Sequence, residues 1–303
     1  MVEISILVPT RGRPGRLLDF LHSVIETSAN PANVEVVLGI DEDDRSYDQM
    51  QWPDTPLKIV KTIAPQATMG SLNTRCMDNS CGKLIILGND DVLFRTKGWD
   101  EIVVRESKRF PDGVFLMFAK DGIKDDAFPC FPILSRECCF LIEDPFPKIY
   151  RGDGIDSHIF DIFLRLKDFG YDRFCYLSDV YMEHRHISNG KGDVDAIYNL
   201  RSHQLGNYNF YTLWKLREDT VQKILSFLKK ENVSKLKHAD PFDNQTFGVF
   251  LIWSCFLQSK QSFSYRSKYL FYHLAREVYF FLRLHKAKRF VLRIKNRVKF
   301  CSG

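Results

Sequence analysis

Apolar positions in the first ninety residues fall into short unbroken runs, separated by stretches with helical spacing. Residues 4–8 form such a run, stopped by Pro9-Thr10, which predicts a buried strand. Residues 14–27 place Leu17, Leu18, Leu21, Val24 and Ile25 on one side of a helix, with Pro14 near its first turn. Residues 34–40 and 57–63 predict further strands, 69–79 a short helix and 84–87 a fourth strand. That order predicts an α/β domain with a mostly parallel sheet. Beyond it, residues 114–118 and 138–142 read as strands around a loop at 121–132. Residues 155–169 form an amphipathic helix closed by Gly170. The chain turns helical after about residue 200, where the apolar run 247–257 reads as a buried helix.

Polar clusters fall where the predicted strands end, and in such sheets ligands bind beyond the carboxyl ends of the strands. Thr10-Arg11 follows the first strand, Asp41-Glu42-Asp43-Asp44 the second, and Asn89-Asp90-Asp91 the fourth. Oxygen ligands at a strand terminus suit a hard divalent cation that bridges a diphosphate; the plain alternative is a polar turn. Asp41, the first residue past its strand, is placed to accept hydrogen bonds from a base or ribose, whereas Glu42 and Asp44 read as a solvated loop. His184 and His186 share a face of an extended segment, where an imidazole can complete a metal shell. Asp153 and Asp156 precede or open a helix, so either is a helix cap or a general base for an acceptor hydroxyl.

Charge changes the picture at one end. The net charge is +5 over 303 residues, yet from Ser264 onward eleven Lys/Arg stand against one acid, Glu277. The tail therefore carries +10 and the rest of the chain −5. Its aromatic and aliphatic residues, among them Tyr269, Leu274, Phe281, Phe290 and Ile294, are interrupted too often by charge for a membrane span. They fit an interfacial helix lying on an anionic leaflet. The eight cysteines show no CxxC or zinc spacing and read as reduced thiols. Without a recognisable signal peptide at Met1-Val2-Glu3, the expected location is cytoplasmic, peripheral on the inner face of the membrane.

Taken in order, residues 4–11, the strand ending at Asp41, Met69-Gly70-Ser71-Leu72-Asn73 and residues 84–91 resemble GT-A-type glycosyltransferases of family 2. Gly152-Asp153-Gly154-Ile155-Asp156, Arg165, Gly170-Tyr171 and Glu183-His184 resemble that family's acceptor half and its late histidine. The resemblance covers residues 3–198. It implies a Rossmann-like GT-A catalytic domain over residues 1–200, with 201–303 as a helical extension ending in the basic tail. It also implies an inverting, metal-dependent transfer from a nucleotide sugar to a hydroxyl acceptor; the basic tail points to a glycan or lipid-linked one, as in envelope polysaccharide or glycolipid synthesis. Pro9, Thr10, Arg11, Asp41, Asn73, Asn89 and Asp90 would then hold the nucleotide. Asp91 and His184 would hold Mg²⁺ or Mn²⁺, and Asp156 or Asp153 would be the base. Asn89 replaces the usual first Asp of the family's Asp-x-Asp motif. Two other readings remain open. One is a sugar-nucleotide-forming nucleotidyltransferase using the loop from Thr10 to Gly15. The other is a non-enzymatic polyanion-binding protein, although no specific nucleic acid is expected for the −5 body.

Overall fold

The computed structural model describes residues 2–186, 189–191, 203–231 and 248–282. Strands β1 (Ile4–Pro9), β2 (Val34–Asp41) and β4 (Leu84–Leu87) are buried along their whole length, as unbroken apolar runs are when both faces of a sheet are covered. β3 (Lys58–Ala64) has mostly exposed or half-covered positions and forms the sheet edge beyond β2. These four strands run parallel in the order β3-β2-β1-β4, so their carboxyl ends share one rim. α1 (Pro14–Thr27) buries Leu17, Phe20, Leu21 and Val24. α2 (Met69–Asp78) is capped by Thr68, whose hydroxyl accepts from the Ser71 amide at 3.2 Å. Only glycine fits at position 70: a Cβ there would stand 2.1 Å from the carbonyl oxygen of Pro147. That close approach holds α2 against residues 146–150.

The far half of the sheet is mixed rather than parallel. β5 (Val92–Phe94), β6 (Leu116–Lys120), β7 (Ile133–Ser135) and β8 (Phe174–His184) complete an eight-stranded order β3-β2-β1-β4-β7-β6-β8-β5. β7 runs antiparallel to β4 and β6, and β5 antiparallel to β8, while β6 and β8 are parallel. The loop between β6 and β7 holds only a single short turn, Asp125–Ala127, and no crossover helix that could bring β7 back parallel. Residues 138–142, expected as a strand, lie instead in α4 (Arg136–Ile142). The Ser135 hydroxyl accepts from the Cys138 amide at 2.8 Å and Glu137 sits in the first turn, so β7 turns straight into a capped helix. A short apolar run alone does not distinguish these outcomes.

α3 (Trp99–Ser107) covers the near face, and α5 (Ile155–Asp168) connects the sheet to the C-terminal helices α6 (His203–Thr212), α7 (Trp214–Leu228), α8 (Gly248–Gln258) and α9 (Phe263–Phe281). One apolar cluster contains Leu7 and Val37 of the sheet, Ile159 and Phe163 of α5, and Trp214, Val221, Ile252 and Leu270 of the later helices. An ionic network reinforces it. Asp161 accepts from Arg165 Nε at 2.7 Å, from Arg217 Nε at 2.6 Å and from the Tyr265 hydroxyl, and Arg165 reaches Glu218 at 2.7 Å. Both arginines are fully buried. α8 is apolar on all sides, but only Leu251, Ile252, Ser254 and Cys255 reach the core. Val249, Phe250, Trp253 and Leu257 remain exposed, so the helix expected to be buried is only half so.

Candidate active site

At the rim, β1 and β2 end side by side, and their first loop residues are joined by charge. Arg11 donates to Asp41 Oδ2 at 2.9 Å and grips Asp43 with two nitrogens at 2.6 and 2.7 Å. The two carboxylates raise the guanidinium's pKa against a smaller opposing effect of burial, and Arg11 in turn lowers that of Asp43. Asp41 Oδ1 is buried and accepts no hydrogen bond. Beneath, the Thr10 hydroxyl pairs with Tyr47 Oη at 2.6 Å and donates to Asp90 Oδ2 at 2.8 Å, while Arg13 donates to Asp90 Oδ1 at 3.0 Å. Asp90 thus has both oxygens engaged. Burial raises its pKa, and the Arg13 charge only partly offsets this. Asp44 accepts from the Gly12 and Ser46 amides, a turn-forming role in keeping with its reading as loop.

A cavity opens beside this pair of strand ends, lined by Asn73, Gly88, Asn89, Asp91, Cys130, Asp153, Asp156, His184 and His186, among others. It gathers six of the eleven residues singled out in the sequence. The other five (Pro9, Thr10, Arg11, Asp41 and Asp90) lie at the β1–β2 ends or below them. Asn73 is held by its own helix, its Nδ2 donating to Met69 O at 2.9 Å. Gly88 brings the chain close to β1, where a Cβ would stand 2.7 Å from Ile6 Cγ2.

Asp91 and His184 lie 93 positions apart in the chain and meet through strand pairing. Val92 is in register with His184 in the β5–β8 pair, and the Arg185 amide donates to Asp91 O at 2.7 Å. His184 Nε2 then stands 3.8 Å from Asp91 Oδ1. The other ring nitrogen, Nδ1, faces Asp121 Oδ2, also at 3.8 Å. Burial alone would lower this imidazole's pKa, but the facing carboxylates of Asp121 and Asp91 outweigh it and push the value up to about 9. Asp121 Oδ1 accepts from the Ile123, Lys124 and Asp125 amides at 3.0, 2.8 and 2.8 Å. Burial opposes ionisation of Asp121, yet His184, Cys130 and these amides hold its pKa well below the usual carboxylate range. Among the described residues, Asp121, Cys130 and His184 offer ligand atoms within 4.8 Å of one another. Asp121 and Cys130 escaped the sequence reading. Asp121 had a signal there, since it follows a predicted strand just as Asp41 and Asn89 do.

In the same cavity, the first turn of α5 presents Asp156. The helix is capped by Gly154, which has φ +106° and lies against the Tyr150 ring. Neither Asp153 nor Asp156 caps it. Asp156 accepts from the Ser157 amide at 2.7 Å, and burial, with Asp153 adding like charge, pushes its carboxyl up to about 6.

No family profile matches the chain, and no curated protein matches it in sequence. Solved structures do match in fold. S. aureus TarS 1-349 in complex with UDP-GlcNAc superposes with a TM-score of 0.52 at 12% identity, covering 90% of this chain and 72% of that one. The same protein in complex with UDP gives 0.50 at 12% identity, over 91% and 71%. The mannosyltransferase PcManGT from Pyrobaculum calidifontis, in complex with GDP-Man and Mn²⁺, gives 0.48 at 12% identity, over 98% and 86%. The chain has the GT-A-type fold of the TarS structures, with a helical C-terminal region.

Proposed function

We propose that this protein is an inverting glycosyltransferase that moves a sugar from a nucleotide-sugar donor to a hydroxyl acceptor. The reading is carried by Asp91 and His184, which face each other at 3.8 Å on the rim of a GT-A fold, in one cavity with Asp156. The donor set suits a divalent cation such as Mg²⁺ or Mn²⁺. Two ligand atoms each about 2.1 Å from a shared ion stand at most about 4.2 Å apart, which 3.8 Å satisfies. Such a cation would offset charge on the departing diphosphate.

The remaining roles belong to the chain's own groups. Asp41 Oδ1 accepts from the base or ribose, with Pro9, Thr10 and Arg11 shaping that end and Asn73 and Asn89 lining the sugar side. The engaged Asp90 holds Thr10 and Arg13 in place below them. Asp156 takes the acceptor's proton as the acceptor oxygen bonds to the anomeric carbon. The bond from that carbon to the phosphate oxygen breaks on the opposite face, so the centre inverts. A carboxyl pushed up to about 6 is a better proton acceptor than an ordinary aspartate and is still ionised at neutral pH. The nucleotidyltransferase reading is weakened because the arginines of its loop are turned onto Asp41, Asp43 and Asp90. The catalytic unit is placed in residues 1–200 and the helical extension in 201–303.

The extension is read as a membrane-surface contact. Among the described residues, ten of thirteen exposed large apolar side chains lie between Val249 and Leu282, on or just beyond α8 and α9. Eight Lys/Arg and no acid follow Leu282 in the sequence; that segment, including Phe290 and Ile294 of the expected amphipathic tail, lies outside the described residues. No helix among the described residues is long and apolar enough to cross a membrane. Apolar insertion beside basic attraction suits an anionic leaflet presenting a lipid-linked or envelope acceptor.

The deciding experiment is a thermal-shift panel of UDP- and GDP-sugars with and without Mn²⁺, followed by transfer assays with whichever donor stabilises. Stabilisation that needs both metal and nucleotide supports the reading. A release of pyrophosphate from NTP and sugar phosphate would replace it with nucleotidyl transfer. Sedimentation with anionic vesicles, weakened by Phe250→Ser with Trp253→Ser, tests the surface contact; equal pelleting of wild type and variant would remove it.

A further inference from the structure

We infer that Asp121 is a positioning residue of the cation site: its carboxylate faces Nδ1 of His184 and keeps the proton on that nitrogen, so that Nε2 keeps its lone pair turned toward Asp91 and the cavity. This rests on the reading that Asp91 and His184 hold a divalent cation.

The imidazole of His184 lies between two carboxylates, Nε2 facing Asp91 Oδ1 and Nδ1 facing Asp121 Oδ2, each at 3.8 Å. A neutral imidazole has one N–H, so it donates to one of the two and presents a lone pair to the other. A lone pair against a carboxylate oxygen is repulsive unless a cation lies between them. To ligate a cation the ring must give up one of its two protons, which leaves an N–H on one side and the cation on the other. The question is which side takes which.

Two observations assign the sides. Asp91 lines the cavity and Asp121 does not; only 2% of Asp121 is exposed. A cation that also touches a diphosphate must lie on the open side, at Nε2. Asp121, moreover, is fixed. Its Oδ1 holds the three amides of residues 123–125, and its own carbonyl accepts from the His184 amide at 3.0 Å. One carboxylate oxygen thus builds a turn while the other is held against the ring. A carboxylate in that position sets the tautomer, orients the ring and raises the ligand's basicity. The edge of Phe131, with ring centroids 4.9 Å apart, confines the imidazole from another side. A competing arrangement would place the cation on the Nδ1 side, among Asp121, Cys130 and His184. It would have to draw on a carboxylate that already accepts three amides and is almost wholly buried.

The test is Mn²⁺ titration of the full chain by calorimetry, in saturating UDP or GDP, whichever stabilises the protein, for wild type, Asp121→Asn, Cys130→Ala and Asp91→Asn. The asparagine carbonyl can still accept from the three amides, so the turn is kept, and circular dichroism checks this. Expected is a loss of Mn²⁺ affinity of about 10–100-fold in Asp121→Asn, with Cys130→Ala close to wild type. Unchanged affinity in Asp121→Asn overturns the inference. Equal losses in Cys130→Ala and Asp121→Asn also overturn it, by placing the cation on the Nδ1 side. A wild type that binds no Mn²⁺, or an Asp91→Asn variant that binds normally, removes the underlying metal reading and the inference with it. A variant-free check is the ¹⁵N shifts of the His184 ring in Mg²⁺-loaded wild type. Protonated Nδ1 is expected, and protonated Nε2 overturns the inference.

Discussion

At the β1–β2 end of the rim, Arg11 grips Asp41 and Asp43, and Thr10 and Arg13 hold Asp90. At the β5–β8 end, Asp91, His184 and Asp121 face one another at 3.8 Å, beyond hydrogen-bond reach. The first end is satisfied without a guest except at Asp41 Oδ1, and its charges shape a surface. At the second, His184 and Asp91 come close on the cavity side without closing the contact, which is the spacing a shared ion would fill. A cluster of acids in the sequence does not distinguish these cases. The distances between the groups do.

The largest effect should come from the carboxylate that shares the cavity with the spaced end. Asp156→Asn is expected to cut turnover by about 10²–10⁴-fold while leaving donor affinity unchanged, measured by steady-state transfer and donor titration. Its pH dependence has a definite sign. The base works ionised, so wild-type turnover should rise with pH through about 6. Because the folded-state pKa is raised, the native protein binds this proton more tightly than the unfolded chain does. Its contribution to stability is therefore complete below the ordinary aspartate range and is lost as pH rises through about 6. Asp156→Asn should flatten that part of the melting-temperature profile.

Next, Asp91→Ala should lose metal-dependent donor binding and about 10²–10³-fold in turnover, with the fold intact. Retained metal dependence would move the cation elsewhere and collapse the contrast between the two ends. Asn89→Asp should be tolerated.

At the satisfied end the effects should appear in stability. Arg13→Ala removes the charge from a buried carboxylate and is expected to cost about 3 kcal/mol in urea unfolding, the low side for a broken buried pair because Asp90 can take up a proton. Asp43→Asn should leave the urea midpoint within error of wild type, since that pair is solvent-exposed. If it instead changed nucleotide affinity strongly, Arg11 would be a gripping residue released by Asp43, and the first end would not be preformed.

Much of the near half of the fold was legible because its signals are local. Buried strands read as unbroken apolar runs, and α1 and α2 read from spacing, Pro14 and the residues around Gly70. The tips of those strands marked Thr10, Arg11, Asp41 and Asn89 to Asp91. The far half was less legible. Residues 138–142 became helix because Ser135 caps them, and β5, only three residues long, carried no strand signal of its own. Asp121 sat at a strand end like the others, but as a lone aspartate before a loop it looked like turn chemistry, which one of its oxygens does perform.

By itself the sequence determined which segments are buried, which chain ends are polar and which residues could bind charge, since burial and hydrogen-bonding capacity are properties of the side chains. Only the tertiary structure decided which of those residues meet. The register of β5 on β8 puts Asp91 against His184, and the turn after β6 puts Asp121 on the other side of that ring. A one-residue slip in that pairing would turn the ring to the other face of the sheet. Contact across 93 residues is set by packing and strand register, which no local pattern encodes.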